Sequence, residues 1–145
     1  MNQLLLISHE GYASGARQAT ELILGPQPNL HTFELDGQKG IEKFREELTE
    51  KIITLNTQKE KIIILADLKN GSPYNIAMEI IAKESLWDNI ILLSGMNLNL
   101  ILEMVMVIDD EITPSILDEI MKTACDGIHH LQRSSLFTNL DDGDE

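Results

Sequence analysis

The chain has 145 residues, 43% of them hydrophobic, enough for one buried core and too few for two, so a single domain is expected. Its 24 acidic residues outnumber its 11 basic ones, and no Lys/Arg cluster offsets the formal net charge of -13, so binding to a nucleic-acid backbone or an anionic membrane surface is not expected. The single cysteine, Cys125, rules out an intrachain disulfide and a CxxC pair, and its apolar helical surroundings predict a buried thiol.

The start, MNQLLLIS, lacks the basic flank and long apolar run of a signal peptide, which predicts a cytoplasmic protein. Residues 3–8 read as a buried strand, followed by a helix over 13–24 with Ala16, Ala19, Thr20 and Ile23 on one face and Gly25-Pro26 as its stop. A second strand over 30–35 closes at the Asp36-Gly37 turn signal. Ile41, Phe44, Leu48, Ile52 and Leu55 then recur every three or four residues, the period of an amphipathic helix.

KIIILA, 61–66, is a continuous apolar run, as a strand buried on both faces should be. Ser72 is the expected N-cap of the next helix, with Pro73 at its first position. NIILLS is the fourth strand and 97–108 the helix after it. The long apolar stretch that contains both, 90–108, is interrupted by Ser94, Gly95, Asn97, Asn99 and Glu103 and does not read as a membrane span. Asp109, Asp110 and Glu111 read as a solvated helix end. Thr113-Pro114 repeats the cap-plus-proline signature and opens a last helix, with Ile116, Leu117, Ile120, Met121 and Ala124 on one face, that Gly127 ends. Residues 128–131 are expected to form one short strand, and the terminal DDGDE a disordered tail.

Short apolar runs alternating with helical segments predict an α/β fold: an open, mostly parallel sheet of four strands covered by helices on both faces. In such sheets ligands bind beyond the carboxyl ends of the strands, where the strand order reverses. That rule selects His9, at the tip of the first strand. If the order is flavodoxin-like, the third strand lies beside the first and brings Asp67 opposite His9. An imidazole that donates one N–H to a carboxylate is held in a single tautomer, and its other nitrogen is free to act as nucleophile or base. Gly71 and Ser72 open the next helix, whose unpaired N–H groups and positive dipole end favour an anion such as a phosphoryl group.

Other chemistries find less in the sequence. Neither GxxxxGK[ST] nor GxGxxG is present, and no metal site or cofactor is expected. His129 and His130 would point to opposite faces of a strand, with no carboxylate or thiol at ligand spacing, and His31 reads as a sheet-face residue.

LLLISHEGYASGA, IIILADLKNGSPYNIA and LLSGMNLNLILE resemble, in order and spacing, the enzyme IIA component of the mannose-class (mannose/fructose/sorbose) sugar phosphotransferase system, over residues 4–131. The strand-end histidine combined with Asp-x-x-x-Gly-Ser-Pro carries most of the likeness. The resemblance implies that His9 is phosphorylated by the carrier protein HPr, that Asp67 orients it, and that Gly71 and Ser72 lie at the phosphate. It further implies transfer to a IIB subunit that serves a IIC/IID membrane permease, and a homodimer in which 128–131 is exchanged between chains. The domain would span 1–133, leaving 134–145 as a polar acidic tail. Glu10, Asn70 and Asn99 depart from the usual pattern, where a small residue, Gly and Pro are common; Asn70 suits a left-handed backbone. The rival readings are the phosphoryl-donor subunit of dihydroxyacetone kinase and a non-enzymatic flavodoxin-like binding module.

Overall fold

The apolar runs at 4–7, 62–66 and 90–93 become strands of one sheet in the computed structural model, which describes residues 1–57 and 59–136. The elements follow in the order β1 (Gln3–His9), α1 (Tyr12–Leu24), β2 (Leu30–Leu35), α2 (Ile41–Leu55), β3 (Ile62–Ala66), α3 (Ser72–Lys83), β4 (Ile90–Leu93), α4 (Leu98–Val107) and α5 (Pro114–Asp126). The strand order is β2-β1-β3-β4 and all three pairings are parallel.

Side chains alternate across each strand, and the alternation sorts the core into two halves. Leu4, Leu6, Ile63 and Leu65 pack with Ala13 of α1, Leu100, Ile101 and Met104 of α4, and Ile120 and Ala124 of α5. Leu5, Ile7, Ile62 and Ile64 pack on the other face with Phe44, Leu48 and Ile52 of α2 and Ile76, Ala77, Ile80 and Ile81 of α3. Burial on both faces is why β1 and β3 are apolar without interruption. After β1 the chain turns outward to β2, and after β3 it turns the opposite way to β4, so the carboxyl ends of β1 and β3 flank the switch point of the sheet.

Several details differ from the sequence expectation. Ser72 is not the N-cap of α3: Gly71 occupies that position, with extended backbone, and Ser72 begins the helix. Cys125 is exposed, because α5 turns only a narrow stripe inward, with Ile120 and Ala124 buried. For the same reason Met121 of α5 and Ile23, near the end of α1, stay largely exposed. Residues 128–131 form no strand: among the described residues no sheet edge pairs with them, Ile128 N–H turns back to Cys125 O, and Ile128 is 82% and Leu131 60% exposed. The DDGDE tail lies outside the described residues. No helix among the described residues is long and apolar enough to cross a membrane.

Candidate functional site

β1 carries His9 as its last residue, and Asp67 follows β3 directly, so the parallel pairing of Ile7 with Ala66 sets the two side by side. One carboxylate oxygen of Asp67 does two tasks. Its Oδ2 accepts from the backbone N–H of His9 at 3.0 Å and pairs with the ring Nδ1 at 2.8 Å. The Asp67 side chain is only 11% exposed while that of His9 is 49% exposed, so a buried acceptor grips an open ring. With Nδ1 donating to the carboxylate, Nε2 is left with its lone pair. The second oxygen, Oδ1, is buried and has no hydrogen-bond partner, which concentrates the carboxylate's work on His9.

The loop after Asp67 closes on the ring. Asn70 has φ 67°, in the left-handed region that asparagine tolerates, and Gly71 N–H donates to Leu68 O at 3.0 Å. A Cβ built at Gly71 would stand 3.2 Å from His9 Cε1 and 3.2 Å from Leu68 O, so the glycine lets the backbone lie against the imidazole. Asn75 Nδ2 donates to Asn70 O at 3.1 Å and ties the loop to α3. Among the described residues, no protein group accepts from the N–H of Ser72 or Tyr74 in the first turn of α3, where a helix favours an anion.

Other contributors gave no signal in the sequence. Buried Ser8 donates its hydroxyl to His9 O at 2.6 Å and accepts from Ala13 N–H at 2.8 Å, joining the strand end to the start of α1. Tyr12 donates its hydroxyl to Met96 O at 2.6 Å, tying this turn to the one before α4. Glu34, from the neighbouring strand, accepts from Gly11 N–H and Ser14 N–H. Burial works against its ionisation, but those N–H groups, the Ser14 hydroxyl and Lys39 outweigh it and hold the carboxyl below its ordinary value of 4.5. The Tyr12 and Glu34 bonds join residues at least twenty positions apart along the chain.

The remaining candidates lie elsewhere. His31 pairs through Nε2 with Gln3 Oε1 at 2.7 Å, and His129 and His130 are exposed beyond α5. Among the described residues no group of three His, Cys, Asp or Glu side chains is arranged to hold a metal. Two cavities, of about 210 Å³ between α2 and α3 and about 320 Å³ at the opposite end of the sheet, are not lined by His9 or Asp67. The His9 side chain is half exposed, so the ring is open to solvent.

Comparisons with known proteins place the chain in a family. The family model of the PTS system fructose IIA component matches residues 3–121. The sorbose-specific EIIA component of the phosphotransferase system of Lacticaseibacillus casei is 26% identical over 122 residues, which are 83% of each chain. The crystal structure of a PTS IIA protein associated with the fucose utilization operon of Streptococcus pneumoniae superposes with a TM-score of 0.73 at 25% identity, covering 89% of this chain and 92% of that one. A phosphotransferase system EIIA component from Streptococcus agalactiae gives a TM-score of 0.77 at 22% identity, over 90% and 97% of the two chains, and speaks for the fold.

Proposed function

The chain belongs to the PTS system fructose IIA family, the mannose-class IIA components of the sugar phosphotransferase system, and from that premise we propose that it carries a phosphoryl group on Nε2 of His9 between two proteins. The donor is phospho-HPr and the acceptor a IIB subunit, whose permease admits the sugar. Nε2 attacks phosphorus in line as the bond to the donor's histidine nitrogen breaks, and the donor imidazole leaves with that electron pair. The proton on Nδ1 stays in the hydrogen bond to Asp67, whose charge offsets the positive charge gained by the imidazole. The phosphoryl oxygens face the first turn of α3 beside Gly71 and Ser72. Transfer to IIB runs the same step in reverse.

The observation that carries this reading is the pair of hydrogen bonds that Asp67 Oδ2 accepts from the backbone N–H and the ring Nδ1 of His9, which hold the backbone and the tautomer of a ring that is otherwise open to solvent. Positioning and charge stabilisation are the main requirements of phosphoryl transfer, and this site supplies both. Incubation with labelled phosphoenolpyruvate, enzyme I and HPr tests it. About one acid-labile, alkali-stable phosphate per chain is expected, and none on His9→Ala. Full labelling of His9→Ala would overturn the assignment.

A further inference from the structure

Two helix N-termini flank His9, and they are furnished differently. Among the described residues, the first turn of α3 has no protein acceptor at Ser72 or Tyr74 N–H. That of α1 is filled: Ala13 N–H meets Ser8 Oγ at 2.8 Å, Ser14 N–H meets Glu34 Oε2 at 2.7 Å, and Gly11 N–H meets Glu34 Oε1 at 3.1 Å. Glu34 stands in β2 opposite Ser8, the residue before His9, and so reaches the turn from the neighbouring strand. Gly11 has φ 87°, and a carboxylate bonded to its N–H fixes the sharp bend between His9 and α1. Both carboxylate oxygens are committed, one on each side of that bend.

Resting on the reading that His9 carries the phosphoryl group, we infer that Glu34 is a positioning residue for the transfer. It holds the turn that follows His9, and it occupies with its own negative charge the anion site that α1 would otherwise offer, which leaves the α3 end for the phosphoryl group. The α1 N-terminus lies close enough to compete, because only Glu10 and Gly11 separate His9 from its first residue, Tyr12. A phosphoryl group drawn to α1 would be turned away from the in-line approach. A carboxylate already seated there prevents this by occupancy and by repulsion.

An ordinary helix cap would affect stability alone, so the test separates binding from transfer. Rapid-quench phosphorylation by phospho-HPr should show the transfer rate constant of Glu34→Gln reduced about 10- to 100-fold, the scale of a slightly misplaced reacting group. The KM for phospho-HPr should stay within about twofold, since the docking surface is untouched. Glu34→Asp keeps the charge at shorter reach and should recover part of the rate. In a second arm, the unphosphorylated proteins are titrated with inorganic phosphate and the backbone amide of Ser14 is followed by NMR. The parent amide should stay in place and that of Glu34→Ala should shift to saturation.

A parental rate constant in Glu34→Gln, or a loss confined to KM, would overturn the inference. A parent Ser14 amide that saturates with phosphate, or a Glu34→Ala amide indifferent to it, would do the same. If Glu34→Ala does not fold, Glu34→Gln takes its place in the titration, and a parent Ser14 amide that saturates overturns the inference without any variant. A parent that accepts no phosphate on His9 would count against the proposed function instead, and the two failures are read in separate arms.

Discussion

At the scale of single residues, the site depends on a ring held from one side only. Asp67 takes the backbone N–H and Nδ1 of His9 with one oxygen, so removing that carboxylate releases both the tautomer and the strand tip. Asp67→Ala is expected to fold, because the side chain ends the core rather than filling it, and to slow phosphoryl transfer by about 10²- to 10⁴-fold, as loss of a catalytic imidazole's partner does. Single-turnover kinetics with phospho-HPr measure this, and a loss below about threefold would contradict the role. Gly71→Ala is the steric counterpart. Its methyl would stand 3.2 Å from both His9 Cε1 and Leu68 O, one of them backbone, so the ring must tilt. The expected result is slowed transfer with the KM for phospho-HPr little changed.

His31 gives a pH signature remote from the site. Burial lowers its pKa from 6.5, helped by Lys51 and Arg17, so the folded chain takes up this proton less readily than the unfolded one. The sign follows: stability falls as pH drops from 6.5 through the lowered folded value, and levels off below it. Urea midpoints at roughly pH 8 and roughly pH 5 should converge more closely in His31→Gln than in the parent. An unchanged difference would contradict the assignment to His31.

At the scale of elements, α4 and α5 are joined by one amide. Asn97 Oδ1 caps α4 by accepting from Leu100 N–H at 2.8 Å, and its Nδ2 donates to Ala124 O in the last turn of α5 at 3.0 Å. Asn99 lies over Gly127, where any Cβ would displace its amide. Asn97→Ala is expected to cost about 1–2 kcal/mol, a lost helix cap plus a second bond, and to raise hydrogen exchange in the last turn of α5 more than in α2. Equal changes in both helices would show that the link is not local.

The elements that the sequence made legible are those defined by local pattern. The period of α2, the unbroken apolar runs of β1 and β3, and the Thr113-Pro114 start of α5 each lie within a few consecutive residues. His9 and Asp67 were legible for a different reason: both end strands, and the topology of open sheets brings those ends together. Glu34, Tyr12 and Asn97 could not be found this way. Each makes its key bond to a residue more than twenty positions away along the chain, except for Asn97's local cap to Leu100. The exposure of Cys125 is not legible in the sequence, because hydropathy alone does not say how narrow a stripe a helix buries.

At the scale of the whole molecule, β4 is an edge strand that among the described residues pairs with β3 alone, and 128–131 lie exposed outside the sheet after α5. An open edge and an exposed segment bearing Ile128 and Leu131 are complementary, and we propose that a second chain brings them together in a homodimer. Light scattering should report a dimer at micromolar concentration, and a chain truncated after Gly127 should be monomeric. A monomeric parent, or a dimer indifferent to the truncation, would contradict the exchange.

In the proposed mechanism Asp67 holds Nδ1 of His9 and Nε2 carries the phosphoryl group between proteins. Phosphorylating the histidine-¹⁵N-labelled protein through HPr and reading the ³¹P–¹⁵N coupling tests it most directly, because the two ring nitrogens are distinguished in one spectrum. Coupling to Nε2 of His9 is the predicted result; coupling to Nδ1, or to a nitrogen of His31, His129 or His130, would contradict the account.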